Sequence, residues 1–244
     1  MGKIHTIYFS YSKDADMLKR SIASLRYTLG EHLGKIWVIN DSNNPICEDD
    51  VAEIIDTNRC VNFSFSDKKR NKNIKGLEFI REMWEWYSYI SNFMEEGDYL
   101  FKTDSDVLVV DGWPFQVALQ GRYDAIGVHP TAREAFVPPR HFAGVGYFLK
   151  KWVAEDIGKA DFPEDIDKWN VLNYPEDMVT SSTVARLTEN THVFSNFQQD
   201  PKSKYFTDTF LQKVDKQLAL RNALVHCRSN TQVMKKLYNQ IYES

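Results

Sequence analysis

The segment that most constrains this chain is residues 99–110, Tyr-Leu-Phe-Lys-Thr-Asp-Ser-Asp-Val-Leu-Val-Val, where two aspartates interrupt an apolar run typical of a buried strand. Carboxylates are costly to bury unless a partner compensates their charge. Asp104 and Asp106 stand two positions apart, and such a pair at a strand end can hold a hard divalent cation with positions left open for phosphate oxygens. The segment therefore indicates a metal–diphosphate site, with a simple aspartate-rich turn as the alternative.

The first half of the chain alternates strand and helix patterns, which favours an α/β fold with a doubly wound, mostly parallel sheet flanked by helices. Ligands bind such sheets beyond the carboxyl ends of the strands. Tyr11, Asp41 and the Asp104/Asp106 pair all follow predicted strands, so we expect them at one shared site. The patterns predict strands over residues 4–10, 35–40 and 61–65, and helices over 14–29, 49–55 and 76–94.

The second half is less regular, but its patterns still alternate. Pro175 precedes an acidic first turn at Glu176 and Asp177, which is typical of a helix start. No repeat or linker is visible, so we predict a single domain over residues 1–244. The patterns predict strands over residues 123–129, 144–150, 192–197 and 223–226, and helices over 175–187, 207–221 and 231–242.

Composition and charge narrow the classes of function. The net charge of −4 gives no overall attraction to nucleic acid. The basic segment 68–75 is either a solvated loop or a local binding site for phosphate. Three scattered cysteines without metal-ligand spacing favour a reducing compartment. With no secretory signal and no apolar run of about 20 residues, we predict a cytoplasmic location.

Several short motifs occur along the chain in a specific order. Ile-Tyr-Phe-Ser-Tyr-Ser ends at Ser12, the helical segment Leu-Lys-Arg-Ser-Ile-Ala-Ser-Leu ends at Leu25, and Val-Ile-Asn-Asp-Ser ends at Ser42. Then come the Asp-Ser-Asp element, the glycine-rich segment 141–148, Pro-Glu-Asp-Met-Val at 175–179 and a late Val-His-Cys at 225–227. In this order the motifs resemble nucleotide-sugar glycosyltransferases of the GT-A fold, in particular the inverting type.

The resemblance implies a metal site and a donor. Asp106 is expected to bind Mn²⁺ or Mg²⁺ directly, and Asp104 to reach the metal through water or to contact the donor ribose. His226 is the expected third ligand, with a satisfied core histidine as the alternative. The co-substrate is a nucleotide-diphosphate sugar, by family default a UDP-sugar. Residues 1–110 would be the nucleotide-binding half, 111–228 the acceptor and catalytic half, and 229–244 a C-terminal helix.

The resemblance also implies a catalytic base. Asp177 is the expected base, Glu176 is the second choice, and a plain charge match to the helix N-terminus is the alternative for both. On the donor side, Asp41 and Tyr11 are expected at the edge and the face of the nucleobase, with a core aromatic as the alternative for Tyr11, and Ser105 is expected within the diphosphate turn. Gly144 and Gly146 are expected to let a substrate approach the backbone. Asn40 stands where the family has an aspartate, a departure from its pattern.

Other functions stay open at this point. A nucleotidyltransferase uses a similar sheet, although residues 9–14 lack the glycine-rich basic loop it normally has. A non-catalytic nucleotide-sugar-binding protein and a retaining transferase are the other candidates. A saccharide is the favoured acceptor, with a hydroxylated DNA base or a protein as alternatives. The sequence does not specify the oligomeric state.

Overall fold

Parallel strands from the first half of the chain form the centre of the main sheet in the computed structural model. The structure describes residues 2–41, 45–47, 60–63, 77–129, 142–164, 166, 176–195, 204–208 and 214–243. Strand β1 (Ile4–Ser10) is buried along its whole length. It pairs in parallel with β2 (Leu33–Asp41) on one side and β4 (Tyr99–Thr103) on the other, and β3 (Cys60–Phe63) continues the sheet beyond β2. This confirms the predicted α/β class with a mainly parallel sheet.

Strands β6 (Ala125–His129), β7 (Gly146–Lys150) and β8 (Thr191–Ser195) from the second half complete a seven-stranded sheet in the order β3-β2-β1-β4-β7-β6-β8. Strand β7 runs antiparallel to β4, while β6 and β8 pair in parallel with each other. The antiparallel register places the start of β7 beside Thr103, the last residue of β4. Residues just before β7 and just after β4 therefore share one edge of the sheet.

A second, three-stranded sheet explains why the apolar run 99–110 is interrupted. The chain leaves the main sheet after β4, turns through the aspartate pair and enters β5 (Val107–Val109). There β5 pairs antiparallel with β10 (Asn222–His226), which pairs in parallel with β9 (Lys204–Asp208). The aspartates thus occupy the crossing between two sheets.

Helices cover both faces of the main sheet. Ile4 and Tyr8 of β1 pack in one apolar cluster, and Ile7 and Phe9 pack in another, because side chains alternate between the faces of a strand. The first cluster includes the apolar stripe of the helix Ala15–Leu29, and the second includes that of the helix Leu77–Ser91. The helices are α1 (Ala15–Leu29), α2 (Leu77–Ser91), α3 (Trp113–Leu119), α4 (Lys151–Ile157), α5 (Glu176–Leu187), α6 (Lys216–Ala219) and α7 (Thr231–Tyr242).

One predicted helix is wrong. The pattern over residues 207–221 predicted a helix, but β9 extends to Asp208, and within the described residues 214–221 the helical part is the single turn α6. Pairing beside β10, with Tyr205 and Thr207 buried, outweighs the local helix preference. The predicted helix 49–55 and the basic segment 68–75 lie outside the described residues.

Within the part of the chain that the structure describes, every helix is too short or too polar to cross a lipid bilayer.

Candidate functional site

The turn between β4 and β5 presents both aspartates at the carboxyl edge of the main sheet. The backbone closes it with a hydrogen bond from the Val107 N–H to the Asp104 carbonyl (3.2 Å). Asp106 is only 7 % exposed, whereas Asp104 is partly open to solvent. The sequence therefore places one carboxylate inside the fold and one at its surface, two positions apart.

His226 reaches the same turn from the other end of the chain. It is the last residue of β10 and pairs with Val107 of β5, and the next residue, Cys227, donates its N–H to the Asp106 carbonyl (2.8 Å). This register brings His226 Nε2 to 3.4 Å from Asp106 Oδ1. The small sheet thus joins residues that are far apart in sequence.

Asp104, Asp106 and His226 form a cluster in which one ligand atom from each lies within 4.8 Å of the others. Carboxylate oxygens suit hard divalent cations, and an added imidazole suits Mn²⁺ as well as Mg²⁺. The donor set therefore fits the predicted divalent metal without specifying which one.

The buried ligand, Asp106, is fixed by a strained turn. Arg228 and Ser229 both adopt positive φ angles (51° and 55°), which non-glycine residues rarely do. This conformation directs the Ser229 N–H onto Asp106 Oδ2 (2.6 Å). Burial alone would raise the pKa of Asp106, but His226 and the Ser229 N–H outweigh burial and lower it. Asp106 is therefore held in its charged form.

A buried lysine that the sequence analysis missed lies behind the cluster. Lys102 Nζ donates to Asp104 Oδ1 (2.8 Å) and to the Gly144 carbonyl (2.9 Å), and lies 3.4 Å from Glu176 Oε2. Burial would lower the pKa of Lys102, but Asp104 and Glu176 outweigh burial and raise it. A lysine inside Tyr-Leu-Phe-Lys-Thr was the available signal, because a charge in a buried strand needs a counter-charge.

Asp177 lies in the first turn of α5, facing the loop before β7. Its Oδ2 accepts the Gly144 N–H (3.1 Å) and its Oδ1 accepts the Met178 N–H (2.9 Å). Burial raises the pKa of Asp177 to about 6, with Lys102 and these two N–H groups acting in the opposite direction. A carboxylate with a pKa near 6 is a better proton acceptor at neutral pH than an ordinary aspartate.

Glu176, the neighbouring carboxylate, is held more tightly. It is 4 % exposed and accepts hydrogen bonds from the Tyr147 hydroxyl and from Thr180 Oγ1 (3.1 Å). Tyr147 in turn contacts the Tyr87 hydroxyl (2.8 Å). Burial raises the pKa of Glu176, and Lys102 opposes that shift. Of the two acidic residues, Asp177 is the more accessible.

The Ser105 hydroxyl has a hydrogen-bond partner within the protein. Ser105 is buried and donates to Asp14 Oδ2 (3.1 Å), in the turn that follows β1. Its hydroxyl therefore ties the aspartate turn to the end of β1, an arrangement that accounts for a serine here without a ligand.

The ends of β1 and β2 flank the same edge. Tyr11 follows β1 and is partly exposed, and its carbonyl accepts the Asp14 N–H (2.9 Å). Asp41 is the last residue of β2, and its side chain lies outside what the structure describes. Asn40 uses both side-chain atoms on the backbone of Ile46 (2.7 and 3.0 Å). Asn40 thus ties Ile46 to the end of β2.

The two predicted glycines differ in their surroundings. A Cβ on Gly146 would lie 2.8 Å from the Phe101 ring and 3.0 Å from Leu224, so core packing accounts for that glycine. A Cβ on Gly144 would meet Asp177 Oδ2 at an ordinary 3.5 Å. The backbone of Gly144 contributes more, since its carbonyl binds Lys102 and its N–H binds Asp177.

Comparison with known proteins identifies the fold. No protein-family model matches this chain, and no curated protein matches its sequence. Among solved structures, it is similar to the galactosyltransferase LgtC in complex with donor and acceptor sugar analogs, with a TM-score of 0.57 and 11% identity over 98% of this chain and 96% of that one. The chain has the GT-A glycosyltransferase fold.

A second structure agrees with that assignment. A glycosyltransferase involved in the glycosylation of the major capsid of PBCV-1 matches with a TM-score of 0.50 and 12% identity, over 96% of this chain and 98% of that one. At these identities the likeness shows the fold, and function has to be argued from the residues of the site.

Proposed function

We propose that this protein is a metal-dependent glycosyltransferase that moves a sugar from a nucleotide-diphosphate sugar to an acceptor hydroxyl, with inversion at the anomeric carbon. One observation carries the proposal: Asp104, Asp106 and His226 form a cluster at the carboxyl edge of a GT-A sheet. Asp177, a carboxylate whose pKa is raised by burial, lies near this cluster. We take the donor to be a UDP-sugar, as the sequence resemblance implies.

The first task of the site is to hold the diphosphate of the donor. Asp106 and His226 would bind the cation directly, and Asp104 would bind it through the oxygen that Lys102 does not use. When bound, a divalent metal supplies positive charge that stabilises the departing diphosphate. The buried, charged state of Asp106 keeps this ligand ready at neutral pH.

The second task is to activate the acceptor. Asp177 would accept the proton of the acceptor hydroxyl while that oxygen attacks the anomeric carbon. The bond between this carbon and the diphosphate oxygen breaks, and the nucleoside diphosphate leaves with the bonding electrons. Attack from the face opposite the leaving group inverts the configuration. Glu176 is the weaker candidate for the base, because Tyr147, Thr180 and Lys102 already occupy its carboxylate.

The remaining donor contacts follow from the sequence. Tyr11 and Asp41 would contact the nucleobase from the ends of β1 and β2, and Gly144 would let the sugar approach the backbone between Lys102 and Asp177. A saccharide is our proposed acceptor. A single-domain organisation and a cytoplasmic location complete the proposal.

A donor panel tests the proposal directly. UDP-glucose, UDP-galactose, UDP-N-acetylglucosamine and GDP-mannose are screened by thermal shift with and without Mn²⁺, because a ligand that binds only the folded state raises its melting temperature. We expect at least one UDP-sugar to stabilise the protein in a Mn²⁺-dependent way and to release UDP slowly with water as the acceptor.

Other results would replace this function with another. Release of pyrophosphate from a nucleoside triphosphate would indicate a nucleotidyltransferase. Tight donor binding without any release of nucleoside diphosphate would indicate a binding protein. NMR of the glycoside formed with an added alcohol acceptor reports its anomeric configuration, because a glycoside does not mutarotate as a free sugar does, and a retained configuration would contradict inversion.

A further inference from the structure

Lys102 makes three contacts with one ammonium group. Its Nζ atom donates to Asp104 Oδ1 (2.8 Å) and to the Gly144 carbonyl (2.9 Å), and a third oxygen, Glu176 Oε2, lies at 3.4 Å. A lysine ammonium carries three N–H donors. These two hydrogen bonds and one ion pair join Lys102 to the turn after β4, the loop before β7 and the first turn of α5.

The burial of Lys102 decides what it can do. Its side chain is only 3 % exposed, so it lies beneath the site and cannot touch a donor or an acceptor. It can act only through the groups that it holds. Two of those groups lie on opposite sides of the proposed reaction: Asp104 on the metal side, and Glu176 next to the proposed base.

The connection continues from Lys102 to Asp177 itself. Gly144, whose carbonyl Lys102 holds, donates its own N–H to Asp177 Oδ2 (3.1 Å). Glu176 fixes the same helix start through Tyr147 and Thr180. Two short routes thus join Lys102 to the residue that would accept the proton.

We propose that Lys102 is a positioning residue that fixes the metal-side carboxylate Asp104 relative to the base Asp177. This inference rests on the proposed function. Proximity catalysis requires the attacking group and the leaving group to be held in one geometry, and a displacement of about 1 Å is enough to slow a reaction about 100-fold. A purely structural lysine would only balance the charge of the buried Glu176.

One matched pair of variants separates these roles. Lys102→Met alone leaves a buried carboxylate without its counter-charge and is at risk of misfolding. Glu176→Gln and the double variant Lys102→Met/Glu176→Gln remove that problem. They share the neutral residue at position 176 and differ only at Lys102. Unfolding by denaturant shows that both members of the pair are folded.

The readouts are kcat and KM for UDP release from the panel donor that the wild type uses fastest, and Mn²⁺ affinity by electron paramagnetic resonance. If Lys102 positions the site, kcat of the double variant falls about 100-fold below that of Glu176→Gln. The donor KM and the Mn²⁺ affinity do not weaken with it, because removal of the ammonium beside Asp104 removes a repulsive charge from the cation site.

Each contrary result has its own meaning. A double variant as active as Glu176→Gln overturns the inference alone, as does a loss of Mn²⁺ affinity that matches the loss of kcat. An inactive Glu176→Gln protein makes Glu176 the base and overturns the geometry on which the inference rests. A wild-type protein that releases no nucleoside diphosphate from any panel donor overturns the proposed function as well.

Discussion

Two buried histidine–aspartate pairs lie at opposite ends of the main sheet. His5 Nε2 lies 3.2 Å from Asp98 Oδ2 near the start of β1, and His226 Nε2 lies 3.4 Å from Asp106 Oδ1 at the carboxyl edge. In residue type, distance and burial the two pairs are nearly the same. Their surroundings differ, and that difference separates a structural pair from a candidate metal site.

Local hydrogen bonds satisfy the pair at the amino end. Asp98 accepts the backbone N–H groups of Lys3 and Glu95 (both 2.7 Å), and the Lys35 N–H donates to His5 Nδ1 (3.4 Å). Because His5 Nδ1 accepts the Lys35 N–H, Nε2 of the neutral ring carries the proton and donates to Asp98. The pocket beside this pair is lined by the cations Lys3 and Lys35 as well as by Glu95. This pair fastens chain segments together.

The pair at the carboxyl edge has an additional carboxylate. Asp104 completes a three-ligand cluster, and in the described part of the chain this is the group with metal-compatible spacing. A histidine next to an aspartate therefore says little by itself. The third ligand and the position at the strand ends distinguish the two pairs.

The sharpest test of this comparison is the matched pair of variants Asp106→Asn and Asp98→Asn. Asparagine keeps a hydrogen-bond acceptor but removes the charge. We expect Asp106→Asn to lower donor turnover about 1,000-fold, because transition-state charge on the diphosphate loses its stabilisation. Asp98→Asn should keep turnover near the wild-type level. UDP release at saturating Mn²⁺ measures both, and equal losses in the two variants would contradict the distinction.

Loss of the proposed base gives the next largest effect. Asp177→Asn should lower turnover between about 100-fold and 10,000-fold, the usual contribution of general base catalysis. Donor binding, measured by thermal shift with Mn²⁺, should persist because Asp177 does not hold the metal. Near-normal turnover would exclude Asp177 as the base.

The acidity of Asp177 predicts a pH dependence of rate and of stability. Turnover should fall as the pH drops through about 6, where the base becomes protonated. Because its folded pKa lies above its unfolded value, ionised Asp177 destabilises the fold, so Asp177→Asn should be more stable than the wild type above pH 6 and lose this advantage toward pH 4. Melting curves across this range measure the difference. A variant that is less stable at pH 8 would contradict the burial of the charge.

Asp98→Asn should show its effect in stability instead. The carboxylate accepts two backbone N–H groups and faces His5, and a hydrogen bond to a charged group contributes about 1.5–3 kcal/mol. We expect a loss of about that size in the free energy of unfolding, measured by denaturant titration. An unchanged stability would show that this pair does not fasten the fold.

Gly144, in the loop before β7, and Gly146, the first residue of β7, give the smallest effect. Gly146→Ala should destabilise the protein by about 1–3 kcal/mol, since its Cβ would press on Phe101 and Leu224. Gly144→Ala, the matched control, meets only ordinary contacts and should change the unfolding free energy less. The reverse order, measured by denaturant unfolding, would contradict the packing explanation.

The parts of the fold that local patterns encode were predictable. The apolar stripe of α1, the buried run of β1 and the acidic helix start at Glu176 all depend on spacing within one segment. The site prediction was based on this helix start, on the two aspartates and on their order along the chain.

What the sequence did not reveal depends on contacts between distant segments. The small sheet extends β9 to Asp208, inside the range predicted to be a helix, and pairing with β10 decides that outcome. Lys102 bridges segments that are 42 residues and more apart in sequence, and Ser105 reaches Asp14 across 91 positions. No local pattern records such contacts, although a lysine in a buried strand signals that a counter-charge must exist.

The most direct test of the central claim is a Mn²⁺ titration of the wild type, Asp106→Asn and Asp98→Asn, followed by electron paramagnetic resonance. We expect one Mn²⁺ bound per chain in the wild type and in Asp98→Asn, with an affinity that UDP increases, and no bound Mn²⁺ in Asp106→Asn. Equal Mn²⁺ binding by all three proteins would contradict the assignment of Asp104, Asp106 and His226 as the metal site.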